Sequence, residues 1–261
     1  YHIARLKFTK EQKPVMAQIW GNKPETFYEA AKIVESLRFD GIDINMGCPQ
    51  RNITKLGAGA ALIENKSLAK EIIQAVKEGV KNIPVSVKTR IGFKKIETKE
   101  WISFLLEQNL DALTVHGRTA KELSKVPCHW DEIGKAVNLR DQINKETILI
   151  GNGDIKNYAE AVSVYKKFKV DGVMIGRGIF NDLTAFNKGE VIYELGPSEK
   201  LDLLLKHTKL YNDTWKGKKD FNVMKKFFKI YTNGFNGAKE LRIQLMKTKN
   251  YEEVVNLLTM M

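Results

Sequence analysis

Six short apolar runs punctuate the chain up to Phe180: Val15–Ile19, Gly41–Met46, Pro84–Lys88, Ala112–Val115, Thr147–Ile150 and Gly172–Ile175. Each is rich in β-branched or apolar residues and ends in polar or glycine-containing sequence, the pattern of a buried parallel strand. Helical spacing fills the intervals. Thr26–Leu37 places Phe27, Ala30, Ala31, Val34 and Leu37 on one face, and Leu68–Val80 does the same with Leu68, Ile72, Ala75, Val76 and Val80. This alternation predicts an α/β fold with a parallel sheet. From about Ser198 onward the strand pattern stops. Leu201–Tyr211, Phe221–Thr232, Ala238–Met246 and Tyr251–Leu258 read as helices, with Gly234 and Gly237 separating the second from the third. The stretch Glu194-Leu195-Gly196-Pro197 reads as a linker. The expected organisation is an α/β barrel domain over 1–190 and a small all-helical domain over 191–261.

The ends of the six runs carry polar residues: Gln18, Asn45 and Cys48, Lys88 and Arg90, His116 and Arg118, Asn152 and Asp154, and Arg177. A core-only explanation does not place polar groups at the same end of every strand, whereas catalytic residues of α/β barrels lie there. The last two runs end in Gly151-Asn152-Gly153-Asp154 and Gly176-Arg177-Gly178, where glycine lets backbone N–H groups approach an anion. Barrels often bind phosphate after strands seven and eight. On that count the runs are strands three to eight. The chain opens Tyr1-His2-Ile3 rather than with Met, and a TIM-type (β/α)8 barrel lacking its first two strands is the expectation. Residues 1–261 alone are then expected to bind a barrel cofactor poorly. A doubly wound sheet is the alternative.

Length and charge narrow the class. The 261 residues suit one barrel of about 250 residues with a small appendage. No apolar run reaches the roughly 18 residues of a membrane span, and no signal-peptide pattern opens the chain. Lys plus Arg is 43 against 31 Asp plus Glu, a net charge of +12 that suits a polyanionic partner. From Val191 onward 13 Lys and Arg face 8 Asp and Glu, including Lys225, Lys226, Lys229, Lys239 and Arg242. A solvated helix face accounts for these equally well. The two cysteines, Cys48 and Cys128, belong to no metal-binding spacing, and the composition fits a reducing, cytoplasmic compartment.

Six ordered motifs resemble the tRNA-dihydrouridine synthase family over nearly the whole chain. They are Asn45-Met46-Gly47-Cys48-Pro49, Leu56-Gly57-Ala58-Gly59-Ala60-Ala61-Leu62, Val85 through Gly92, His116-Gly117-Arg118-Thr119, Gly151 through Ile155, and Met174 through Gly178. The tail from Met224 through Arg242 is similar to the family's helical RNA-contacting domain. The family's opening Ala-Pro-Met-type segment has no counterpart here.

The resemblance implies an FMN-dependent oxidoreductase that reduces the C5–C6 double bond of uridine in tRNA, with NADPH or NADH as electron donor. Cys48 matches the family's proton donor, a role open to a thiol because it is mostly protonated at neutral pH. By residue type alone a free cysteine is more often a small buried hydrophobe, the reading kept for Cys128. Lys88 matches the cation beside the flavin. Gln18 and His116 match further flavin contacts, and Asn152, Gly153, Asp154, Gly176 and Arg177 match phosphate and ribityl contacts. Asn45, Arg90 and Arg118 are candidates for the uracil or nearby RNA phosphate, or for polar strand ends bonded to neighbouring loops. The alternatives are another FMN barrel such as a dihydroorotate dehydrogenase, a non-flavin phosphate-binding barrel, and a catalytically silent RNA-binding fragment.

Overall fold

The computed structural model describes residues 6–186 and 195–259. It divides into two compact units, Tyr1–Ile179 and Phe180–Met261. The sequence placed the division at 190/191, which lies outside the described residues, as does Glu194 of the expected linker. The division falls earlier because Phe180 and Leu183 pack with side chains of the helical unit; the Phe180 and Phe227 ring centroids are 6.2 Å apart.

The first unit holds β1 (Met16–Ile19), α1 (Pro24–Ser36), β2 (Gly41–Met46), α2 (Arg51–Thr54), α3 (Lys66–Gly79), β3 (Val85–Arg90), α4 (Thr98–Leu106), β4 (Ala112–His116), α5 (Trp130–Ile143), β5 (Ile148–Asn152), α6 (Tyr158–Phe168) and β6 (Gly172–Met174). The six strands pair in sequence order, β1-β2-β3-β4-β5-β6, and every pair is parallel. A doubly wound sheet reverses its strand order at a switch point. The unbroken order here is that of a TIM-type barrel, of which these residues supply six consecutive strands.

Aspartates pin the register from the N-terminal end. Asp40 just before β2 accepts the Val15 N–H at 2.8 Å. Asp111 before β4 accepts the Val85 N–H, and Asp171 before β6 accepts the Leu149 N–H, each at 2.7 Å. The same three-part device therefore ties β1 to β2, β3 to β4 and β5 to β6. The bond from Val15 is the main cause holding the Asp40 carboxyl below its usual range.

That register sorts side chains by parity. Ala17, Ile42, Ile44, Met46, Val85, Val87, Leu113, Val115 and Leu149 are buried on one face, in a single core with Phe27, Ile72, Val76, Trp101, Leu105, Ile133 and Ala136 of the covering helices. Helix α3 approaches α1 so closely that a Cβ at Gly79 would lie 2.6 Å from the Tyr28 carbonyl oxygen. The other face is polar. It carries Gln18, Asp43, Asn45, Ser86, Lys88, Arg90, Thr114, His116 and Asn152, which the ladders place side by side.

The helical unit comprises α7 (Pro197–Trp215), α8 (Asn222–Lys225), α9 (Phe228–Tyr231), α10 (Ala238–Leu245) and α11 (Tyr251–Thr259). Its core is Leu204, Met224, Phe228, Tyr231, Leu241, Leu245 and Val254. Two expectations change here. Pro197 opens α7 instead of ending a linker, because proline is tolerated at the first helical position and Glu199 accepts the Gly196 N–H at 2.8 Å. Phe221–Thr232 is two short helices, because Phe227 N bonds to Met224 O and Ile230 N to Phe227 O, three residues back instead of four.

Trp101 is 1% exposed, stacks on Phe104 and donates its indole N–H to Thr89 Oγ1 at 2.8 Å. We expect Trp101→Ala to lower unfolding free energy by about 3–5 kcal/mol, read from the urea midpoint. A change below about 1 kcal/mol would mean that this core closes over the gap.

Candidate active site

The polar face ends in a cluster of cations. Lys88 lies inside it, donating to Asn152 Oδ1 at 3.2 Å. Burial, followed by the charge of Arg90, pushes its ammonium down to about 8, against the opposing pull of Asp43. Asn152 is committed at both ends, since its Nδ2 donates to Met174 O at 2.9 Å. Burial and then the charges of Arg90, Lys88 and Arg118 push the His116 imidazole down to about 3. His116 is thus neutral at physiological pH. Arg118 Nη1 lies 3.3 Å from His116 Nε2, and a guanidinium only donates, so Nε2 is the acceptor and Nδ1 carries the proton.

Two arginines hold loops. Arg90 donates Nε to Gly47 O at 2.9 Å, and Nη1 to Thr119 O and Leu123 O at 2.9 and 3.0 Å. Burial and the neighbouring Arg118 push its basicity down to about 10. Arg118 donates Nε to Val126 O at 2.6 Å and pairs through Nη2 with Asp154. Asp154 also accepts the Cys128 N–H at 3.0 Å, and these partners keep its carboxyl below the usual range in spite of burial. Of the two readings open for these arginines, the observed bonds are those of polar strand ends tied to neighbouring loops.

Cys48 follows β2 and is partly buried. Asn45 Oδ1 accepts the N–H groups of Gly47 and Cys48 at 3.1 and 2.9 Å, while the Cys48 carbonyl accepts the Ala60 N–H at 3.0 Å. The glycine-rich segment is a buttress: Gly59, at φ +61°, leaves no room for a Cβ, which would lie 2.8 Å from the Cys48 oxygen. Gln18 links the first two strands to this loop, donating to Asp43 at 2.7 Å and accepting from Asn45 at 2.9 Å.

Cys128 packs beneath the ends of β4 and β5, and burial pushes its thiol up to about 11. It fills the space that a Cβ on Gly153 would need, with Sγ 2.3 Å from that position. Trp130 Nε1 donates to Gly153 O at 3.1 Å. Beyond β6, Gly176 and Arg177 are exposed, and no heavy atom lies within 4 Å of a Cβ built on Gly176. The charge of Arg177 reaches Arg90, where it adds to the depression of that guanidinium.

Asp43, Ser86, Glu122 and Trp130 also take part in this network, through Gln18, Asp43, His129 and Gly153 respectively. The alternation Ile42-Asp43-Ile44-Asn45 and Val85-Ser86-Val87-Lys88 is the sequence signal for Asp43 and Ser86, because period-two polarity marks a strand with one polar face. Among the described residues no group of three or more His, Cys, Asp or Glu is arranged to hold a metal ion, and no helix is long and apolar enough to cross a membrane.

Fold and site together define an α/β-barrel enzyme with a partly buried thiol loop beside a positively charged strand-end face. The sequence model of the dihydrouridine synthase family matches residues 1–261. A probable tRNA-dihydrouridine synthase of Staphylococcus aureus (strain COL) is 45% identical over 256 residues, covering 97% of this chain and 77% of that protein. Probable tRNA-dihydrouridine synthase 2 of Bacillus subtilis (strain 168) is 43% identical over 256 residues, covering 97% and 78%. A solved flavocytochrome b2 mutant with benzoylformate gives a TM-score of 0.49 at 14% identity, covering 71% of this chain and 48% of that one, too distant to bear on the chemistry. The chain belongs to the dihydrouridine synthase family. It is an oxidoreductase whose activity is dihydrouridine synthesis, which sets aside the dihydroorotate dehydrogenase and the non-flavin barrel.

Gly153 combines φ +139° with the Cys128 contact. We expect Gly153→Ala to cost about 1–3 kcal/mol from backbone strain, plus a shift of Trp130 fluorescence as its carbonyl partner moves. An unchanged urea midpoint and emission would show that this turn is not constrained.

Proposed function

We propose that the polar strand-end face of the first unit seats FMN and the target uracil of a tRNA, and that Cys48 supplies the proton that completes dihydrouridine. The carrying observation is the positive field on that face: burial and then three separate cations depress His116, and Lys88 stays inside the fold. Such a field fits an anionic flavin and its phosphate. In this reading Lys88, Gln18, His116 and Asn152 border the isoalloxazine, with neutral His116 offering its Nδ1 proton as a donor. The backbone at Gly153, Asp154 and Gly176, with the Arg177 side chain, receives the phosphate and ribityl chain. The Asp154 carboxylate itself stays on Arg118, where it fixes the loop.

Reduced flavin, when bound, would supply the hydride for C6 of the uracil, the position conjugated with the C4 carbonyl. The electron pair thereby displaced toward C5 takes the proton of Cys48 Sγ, and water returns a proton to the sulfur. Lys88 offsets negative charge at the face. Asn45, Arg90 and Arg118 hold the surrounding loops, with Asn45 and Arg90 holding the Cys48 loop itself. NADPH, or NADH, is the proposed electron donor, and the cytoplasm the proposed compartment.

A base inside folded RNA must be extruded to reach such a face. The helical unit offers contacts for the flanking backbone. Lys226 and Lys229 line a cavity of about 530 Å³ with Phe180, Phe227, Ile230 and Asn233, and Lys226 Nζ lies 4.7 Å from the Phe227 ring centroid. Basic groups interleaved with aromatic rings suit RNA phosphates and unstacked bases. Arg242 differs from the other basic candidates in also supporting the fold, by donating to Thr232 O at 3.1 Å.

The test is Cys48→Ala in FMN-loaded protein, assayed for dihydrouridine in tRNA, with flavin reduction by NADPH followed separately. Dihydrouridine formation is expected to fall about 10²–10⁴-fold while flavin reduction is unchanged, and Cys128→Ala is expected to spare both. Undiminished dihydrouridine formation by the Cys48 variant would remove its assigned role.

A further inference from the structure

We propose that Asp43 is the positioning residue of the Cys48 loop, acting through a directed hydrogen-bond chain that runs by way of Gln18 and Asn45. Asp43 is 8% exposed on β2, paired in register with Gln18 on β1 and Ser86 on β3. One carboxylate oxygen accepts from Ser86 Oγ at 2.6 Å and the other from Gln18 Nε2 at 2.7 Å. With both Asp43 oxygens accepting, the Gln18 amide nitrogen is turned toward the carboxyl group and Oε1 is left facing Asn45. Oε1 takes the Asn45 Nδ2 proton at 2.9 Å, which leaves Asn45 Oδ1 facing the loop. That oxygen receives both loop N–H groups, Gly47 and Cys48.

The chain has one polarity from the buried Asp43 carboxyl group to the backbone of Cys48. Reversing any amide in it sets donor against donor or acceptor against acceptor at its neighbours. The loop carbonyls are fixed independently, Gly47 O by Arg90 and Cys48 O by Ala60. The N–H side therefore depends on Asn45, and the orientation of Asn45 on Asp43. Asp43 touches neither the thiol nor the substrate in this account. Its consequence for turnover rests on the proposed role of Cys48; its consequence for the loop does not.

The test is site-resolved amide hydrogen exchange on the full chain, comparing wild type, Asp43→Ala and Asp43→Asn. Asparagine keeps the polarity, because Oδ1 can accept from Gln18 while Nδ2 donates to Ser86 Oγ. Asp43→Ala is expected to speed exchange at Gly47 and Cys48 on the order of tenfold, the worth of about one hydrogen bond, while Val87, Leu113 and Val115 keep wild-type rates. Asp43→Asn is expected to exchange as wild type. Unchanged protection at Gly47 and Cys48 in Asp43→Ala, or an Asn variant as fast as the Ala one, would overturn the proposal. If Asp43→Ala fails to fold, Gln18→Met, at an exposed position, cuts the same chain and must show the same local loss; protection retained there also overturns it. Turnover on tRNA is expected to drop in kcat with KM held. Faster loop exchange with undiminished kcat would overturn the consequence for turnover and leave the hold on the loop standing; the proton-donor role of Cys48 is decided by its own substitution.

Discussion

The Asp40, Asp111 and Asp171 carboxylates set the register on which the rest of the first unit depends. Each closes the N-terminal end of a strand pair by accepting a backbone N–H that the ladder leaves over. A slip of one residue in a parallel strand exchanges its two faces. With the register fixed, Ile42, Ile44, Val85, Val87, Leu113 and Val115 meet the helices, and Asp43, Asn45, Ser86, Lys88, His116 and Asn152 line the opposite face. The residues that carry chemistry are gathered by the constraint that builds the core.

Burial, and then the neighbouring arginine, opposes the charging of Lys88 and Arg90 and lowers the basicity of both. The fold meets that strain in two ways. Carbonyls of the 117–126 loop and Gly47 absorb the arginine N–H groups, and Asp43 and Asp154 supply partial compensation. Burial, with the remaining positive field, leaves His116 neutral.

The architecture was legible because apolar runs and helical spacing report burial, which composition encodes directly. All six strands fall within a residue or two of the apolar runs, with the polar termini of β3, β4 and β5 extending further than apolarity alone suggested. What escaped was partnership. Nothing in the spacing of Arg90 says that it meets Gly47, Thr119 and Leu123, or that Arg118 closes on Asp154, because those contacts join segments far apart in sequence. Asp43 was hidden for a related reason: inside a strand read as uniformly buried, its alternation with Ile42 and Ile44 passed unused. In the helical unit, Met224, Phe228 and Tyr231 keep their inward spacing through a break at Lys226 and Phe227, so apolar periodicity reported one helix where the backbone makes two.

The central claim is that strand register gathers buried and half-buried cations onto one face. The most direct measurement is a nitrogen-15 NMR titration of the histidine side chains, with His116 assigned by substitution. The account predicts a neutral ring protonated at Nδ1 that stays uncharged until about pH 3, because burial and three neighbouring cations oppose its charging. A midpoint near the ordinary histidine value of about 6.5 would contradict it, since neither the burial nor the cation cluster would then exist as described.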